Sequence, residues 1–297
     1  MKIPTPIRGF FRLLSRVSAP LAGRLARFLF LRTRRHPVPR RELAVRESAE
    51  RFELATEHGQ AVAWVWGQPQ QAEARIENGL PTVYLLHGWE GRGSQLGPFV
   101  APLRRAGFRV IAVDAPGHGE APGRSSSLVA LGATLTAAVE RWGPGSPRGA
   151  GVIAHSAGAI STTWALSQGL PAHRAFFIAP GADILAYTQQ VGDLLGLSDR
   201  ASGELVLAIE RKVGVRLAEL DALRHAPEMS VPLHVISDRE DRETPLPAVE
   251  RLVRSWPGAT LRVTEGLGHR RILRDPEVVA DAVRHFTREA SPQAVAV

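Results

Sequence analysis

Near the start of the chain, Phe10, Phe11, Leu13, Leu14 and Val17, then Leu21, Leu25, Phe28 and Leu29, recur at three- and four-residue spacings. Arg8, Arg12, Arg16, Arg24 and Arg27 lie between them. The spacing predicts two amphipathic helices broken near Pro20. Thr33 to Arg41, with Pro37 and Pro39, reads as a linker. From residue 51 the period changes. Gln60 to Trp66 alternates apolar and polar residues, and Pro81 to Leu86 is a short continuous apolar run of the kind buried on both faces. Similar runs recur at Phe108–Val113, Gly151–Ala154, Ala175–Ala179, Leu233–Ile236 and Leu261–Val263. Helix-length segments separate them: Leu96–Ala106, Ser125–Trp142, Ala157–Gln168, Pro245–Ser255 and Pro276–Arg288. Strand alternating with helix predicts a mostly parallel sheet covered on both faces. Residues 183–229 hold no strand-like run, but Leu194, Leu195, Leu197, Leu205, Val206 and Ile209 recur at helical spacing. They read as an inserted helical cap. The expected organisation is an arm and linker over 1–50, a core over 51–182 and 230–290, the cap over 183–229 and a tail over 291–297.

Composition adds where the charge sits. With 297 residues, 44% hydrophobic and 22% charged, the chain falls in the globular range and is long enough for one large α/β domain or two small ones. It has no cysteine, which excludes disulfides, thiolate metal sites and a cysteine nucleophile. The formal charge is +8, yet residues 1–50 alone hold 12 Lys and Arg against three Glu, leaving the remainder balanced. A basic arm on a neutral body is therefore expected, not a nucleic-acid-binding surface. The arginines interrupt every apolar run well short of the roughly 18 residues a membrane span needs, and no signal-peptide pattern follows. Two readings of the arm compete: packing against its own domain, or peripheral contact of residues 1–35 with anionic lipid. Packing is favoured, because an exposed stripe of this size is an aggregation liability. The location expected on this basis is cytoplasmic, peripheral to the membrane if the lipid reading holds.

The candidate chemistry lies at strand ends. Ala154-His155-Ser156-Ala157-Gly158 puts a serine between small residues at a strand-to-helix turn, a geometry that lifts the hydroxyl above a sheet. His87-Gly88-Trp89-Glu90-Gly91 follows another apolar strand and brings backbone N–H groups toward the same edge. Ser237-Asp238-Arg239-Glu240-Asp241 and Gly266-Leu267-Gly268-His269 follow the last two strands, so serine, acid and histidine occur in that chain order. Open α/β sheets place ligands just past such strand ends. Together with Val113-Asp-Ala-Pro-Gly-His-Gly119 and Asp241-Arg-Glu-Thr-Pro245, these motifs make residues 50–290 resemble the α/β-hydrolase family.

The resemblance implies an α/β-hydrolase fold, with Ser156 as nucleophile, His269 as general base and acid, and Asp241 orienting His269. It also implies that the N–H groups of Trp89 and Ala157 form an oxyanion hole. Ala154 departs from the glycine usual at its position, a small change in volume. Asp238 and Glu240 are rivals to Asp241, which the spacing to Pro245 favours. His87, His118, His155 and Asp114 read as structural. No metal-ligand cluster, phosphate loop or dinucleotide spacing is present, so neither metal nor cofactor is expected. The expected activity is serine hydrolysis of a small carboxylic ester, with cap leucines such as Leu195 and Leu205 facing an apolar acyl pocket. Acyl transfer, thioester cleavage and a catalytically silent domain that binds a membrane or protein partner through its arm are the alternatives.

Overall fold

The computed structural model describes residues 3–67, 81–143 and 150–288; the expected tail at 291–297 lies outside them. The apolar runs form one eight-stranded sheet: β1 (Glu50–Thr56), β2 (Gly59–Trp66), β3 (Thr82–Leu86), β4 (Arg109–Asp114), β5 (Ala150–His155), β6 (Ala172–Ile178), β7 (Leu233–Asp238) and β8 (Thr260–Thr264). Their spatial order is β1-β2-β4-β3-β5-β6-β7-β8. β1 and β2 pair antiparallel, β2 joins β4 antiparallel, and every later pair is parallel.

Both faces are buried, which explains why the central strands are apolar without alternation. Tyr84, Leu86, Ile111, Val113, Val152 and Phe177 pack on one side, against α5 (Leu128–Trp142) and α10 (Leu246–Ser255). Val83, Leu85, Val110, Ile153, Phe176 and Ile178 pack on the other, against Leu96, Phe99 and α11 (Pro276–Thr287). β1 was not expected, because as an edge strand it buries only Leu54. The segment expected as one helix over 96–106 is a 3-10 helix over Gly93–Phe99 followed by α4 (Val100–Arg105).

The arm is α1 (Thr5–Val17) and α2 (Ala19–Leu31). They divide at Ser18, whose hydroxyl caps α2 by accepting from Leu21 N, with Pro20 in the first turn. The following stretch is not a free linker. Leu31 O accepts from Ser126 N, Thr33 N donates to Arg124 O, and Thr33 Oγ1 donates to Gly117 O at 2.8 Å. Arg35 donates to the carbonyls of Ala121 and Gly123. α3 (Arg40–Glu47) then buries Glu42, which accepts from Arg92 Nε at 2.7 Å and Ser94 Oγ at 3.0 Å. Pro37 and Pro39 mark a strap, because the backbone between the helices is tied down from the loop after β4.

The 183–229 interval holds α7 (Ile184–Leu195), α8 (Asp199–Val213) and a short α9 (Ala222–His225). Ala222, Ala226 and Met229 join the sheet-side cluster, so its last stretch is part of the layer over the sheet. Leu195, Leu205 and Ile209 are at most 1% exposed and cluster with Phe11, Ala26 and Leu31. The set expected to face an acyl pocket is thus occupied in packing against the N-terminal helices. α2 and α8 approach so closely that a Cβ on Gly23 would sit 2.6 Å from the Glu204 carbonyl carbon.

Candidate active site

Ser156 stands between β5 and α6 (Ala157–Ser167) with φ 52° and ψ −122°, a conformation costly for a residue carrying a Cβ. Its backbone is held there from both sides: Ser156 N donates to Ile178 O, and Ser156 O accepts from Gly181 N and Ala159 N. The turn also needs small neighbours. A Cβ on Gly158 would lie 2.5 Å from His87 O, and one on Gly88 2.8 Å from Ser156 Cβ. The 87–91 loop and the start of α6 are therefore in direct contact.

Ser156 Oγ donates to His269 Nε2 at 3.0 Å, and His269 Nδ1 donates to Asp241 Oδ2 at 2.7 Å. Asp241 and His269 are buried, whereas Ser156 keeps partial exposure. Burial alone raises the Asp241 pKa. The hydrogen bond and charge of His269, with the backbone and side-chain bonds of Thr244, outweigh it and hold the carboxyl below its ordinary range. Thr244 was not singled out from sequence. Its hydroxyl donates to Asp241 Oδ2 at 2.8 Å, and the N–H groups of Glu243 and Thr244 donate to Oδ1. The signal was an Asp followed three residues on by Thr, the pattern of a side chain that caps its own turn. Glu243 was also missed. Its Oε2 lies 3.8 Å from His269 Nε2, and Arg270 neutralises it at 2.9 Å.

The rivals have other duties. Asp238 accepts from Thr264 Oγ1 at 2.8 Å, Leu267 N at 3.0 Å and Glu240 N at 3.1 Å, which pins the loop that carries His269. Although burial raises its pKa, those bonds and one from Gly268 N keep it ionised below the usual carboxylate range. The side chain of Glu240 is not part of the Ser156–His269–Asp241 relay. Asp114 accepts from Gly93 N at 2.6 Å, Trp64 Nε1 and Glu120 N, holding loop geometry.

His87 donates from Nδ1 to Gly88 O at 2.7 Å and accepts at Nε2 from Ala115 N, so it is a neutral strut under the loop. His118 is buried beside it, its pKa pushed down to about 2 by burial and then by His87. His155 carries more than expected: its Nε2 donates to the carbonyl of His269 at 3.0 Å, so the elbow itself grips the histidine loop. Burial, followed by the nearby His269, lowers the His155 pKa to about 3 and keeps it neutral. Among the described residues, the N–H groups of Trp89 and Ala157 have no protein acceptor.

A sequence profile described as the Alpha/beta hydrolase family matches residues 83–282. The chain belongs to the alpha/beta hydrolase family. Its fold is similar to solved members. An esterase of Pyrococcus furiosus is 20% identical with a TM-score of 0.62, over 87% of this chain and 97% of that one. Est1E of Butyrivibrio proteoclasticus, solved with ferulic acid bound, is 17% identical with a TM-score of 0.61, over 79% and 97%. A carboxylesterase of Bacillus subtilis is 16% identical with a TM-score of 0.59, over 91% and 98%. A search of curated protein sequences finds no match. Among the described residues no helix is long and apolar enough to cross a membrane.

Proposed function

We propose that this family member is a serine hydrolase that cleaves carboxylic esters through an acyl-enzyme. The observation that carries the reading is the continuous relay from Ser156 Oγ through His269 to Asp241, at 3.0 and 2.7 Å, on a backbone held at positive φ.

In this mechanism His269 Nε2 takes the Ser156 proton as Oγ attacks the ester carbonyl carbon. The carbonyl oxygen becomes an oxyanion that accepts hydrogen bonds from Trp89 N–H and Ala157 N–H, both without a protein acceptor among the described residues. As the tetrahedral intermediate collapses, the C–O bond breaks and His269 returns the proton to the departing alcohol. Water then enters, gives a proton to His269 and attacks the acyl carbon. The acid leaves when Ser156 Oγ recovers that proton. Asp241 stays ionised throughout: it fixes the Nδ1–H tautomer of His269 and stabilises the imidazolium formed in each half-reaction.

The alcohol acceptor of an acyl transferase would enter at the same step as water, so the reaction must be read from products. A panel of nitrophenyl esters of rising acyl length, with a thioester and an aminoacyl anilide beside them, tests the proposal. Ester turnover by the native protein, lost in a folded Ser156→Ala variant, is expected. Native-like turnover by that variant, or thioester cleavage with negligible ester turnover, overturns it.

A further inference from the structure

The large apolar side chains left exposed among the described residues all belong to α1, α2, α7 and α8, helices that pack on one another. α1 is the extreme case. The side it turns to the body carries Phe11 and Ser15, whereas Phe10, Leu13 and Val17 are 53%, 64% and 77% exposed. Consecutive residues on a helix are about 100° apart, so the apolar stripe points sideways into solvent. The arm does pack on the body, through Phe11 and the Ala22, Ala26 and Leu31 side of α2, but Phe10, Leu13 and Val17 of the stripe stay outside that contact. On the opposite flank Arg8, Arg12 and Arg16 follow one another at four-residue spacing, exposed and without a carboxylate partner among the described residues.

Charge decides what such a face can meet. Residues 1–41 contain no Asp or Glu. Two copies joined through α1 would bring its arginines together, and α1 holds no acid to offset them. A convex, arginine-flanked stripe suits insertion among acyl chains with cations at the headgroups. At 13 residues α1 is far too short to span and would lie in the plane of the surface.

We propose that α1, with the neighbouring exposed apolar side chains of α2, α7 and α8, is a docking surface for anionic lipid. The same helices reach the active-site rim. Phe30 of α2 meets Tyr187 of α7 edge to face at 6.0 Å, and α7 begins three residues after Gly181, whose N–H donates to Ser156 O. Lipid docking so placed sets the reactive cleft beside the bilayer surface. The inference concerns binding and does not depend on the reaction proposed above.

The test is flotation with phosphatidylglycerol-containing vesicles, with pure phosphatidylcholine vesicles as the uncharged control, in low and physiological salt. The native protein is expected to float with the anionic vesicles only, and less in salt. Phe10→Ser/Leu13→Ser/Val17→Ser should bind at least about tenfold more weakly at an unchanged Tm. Arg12→Gln/Arg16→Gln, which alters no packed side chain, should lose about tenfold and reads the same face even if the triple variant melts early. Native protein that does not float, or variants that float as well as native, overturn the proposal. A native dimer that dissociates in the triple variant, without vesicle binding, would assign the face to a second copy and also overturn it.

Discussion

The strand-end loops and the N-terminal helices both carry strong sequence patterns, but the two patterns relate differently to where the side chains end up. At the strand ends, each polar atom of Ser156, Asp241 and His269 finds its partner within 3.0 Å across up to 113 residues of sequence. Those residues owe their positions to the register of parallel strands, which all end at one edge of the sheet. In α1 the amphipathic pattern is equally plain, yet Phe10, Leu13 and Val17 are turned away from the body, and Phe11, Leu14 and Ser15 make the contact. A motif on a sheet edge inherits a position from the fold. An amphipathic helix has only a rotation, and neighbouring helices choose it.

The largest effect expected from this contrast is at the site. Asp241→Asn should lower kcat by about 10⁴-fold while the protein stays folded, because it leaves His269 in the wrong tautomer. Asp238→Asn should instead cost about 1 to 3 kcal/mol of stability, read by denaturant titration, since it breaks bonds that pin the histidine loop. A reversal of the two phenotypes would show that the acid has been misplaced. In the arm, Glu42→Gln leaves the Arg92 guanidinium buried without its anion and is expected to cost about 3 to 5 kcal/mol. A loss below about 1 kcal/mol would mean that the strap is only loosely coupled to the body.

The site histidines give a pH test. His155 and His118 are held neutral, with pKa values lowered to about 3 and about 2, while in the unfolded chain each binds a proton below about 6.5. Their contribution to stability is complete above pH 6.5 and drains away below it. The expected loss is about 1.4 kcal/mol per pH unit for each group. His285, lowered to about 3 by burial and then by Arg174, adds a third share, so the test is a difference: in denaturant titrations at stepped pH, His155→Gln should flatten the native slope by one group's share. At the helix crossing, Gly23→Ala pushes α2 off α8 and is expected to cost about 1 kcal/mol, the low end for an overpacked contact. A neutral outcome there would mean that the helices separate freely.

Much of this molecule was legible in its sequence, for identifiable reasons. Runs such as Thr82–Leu86 are apolar because both sheet faces are covered, and Ser156 stands out because only small residues fit beside it. What escaped depends on tertiary neighbours. β1 buries a single leucine and so lacks the signature of an inner strand. Thr33 and Arg35 read as linker because their partners, the carbonyls of Gly117, Ala121 and Gly123, are backbone atoms that no side-chain pattern announces. His155 was read as structural, and its grip on the His269 carbonyl emerges only when β5 and the last loop meet. Leu195 and Leu205 have the spacing of a cap, but spacing does not distinguish a pocket wall from a contact with α2.

The relay through Ser156 is the central claim, and a fluorophosphonate probe reads it without a choice of substrate, because it reacts only with an activated serine. After incubation of the folded protein, intact mass should rise by one adduct, and peptide mapping should place it on Ser156. Asp241→Asn should slow its formation in step with its loss of kcat. Folded native protein that stays unmodified, or carries the adduct on another residue, would contradict the account.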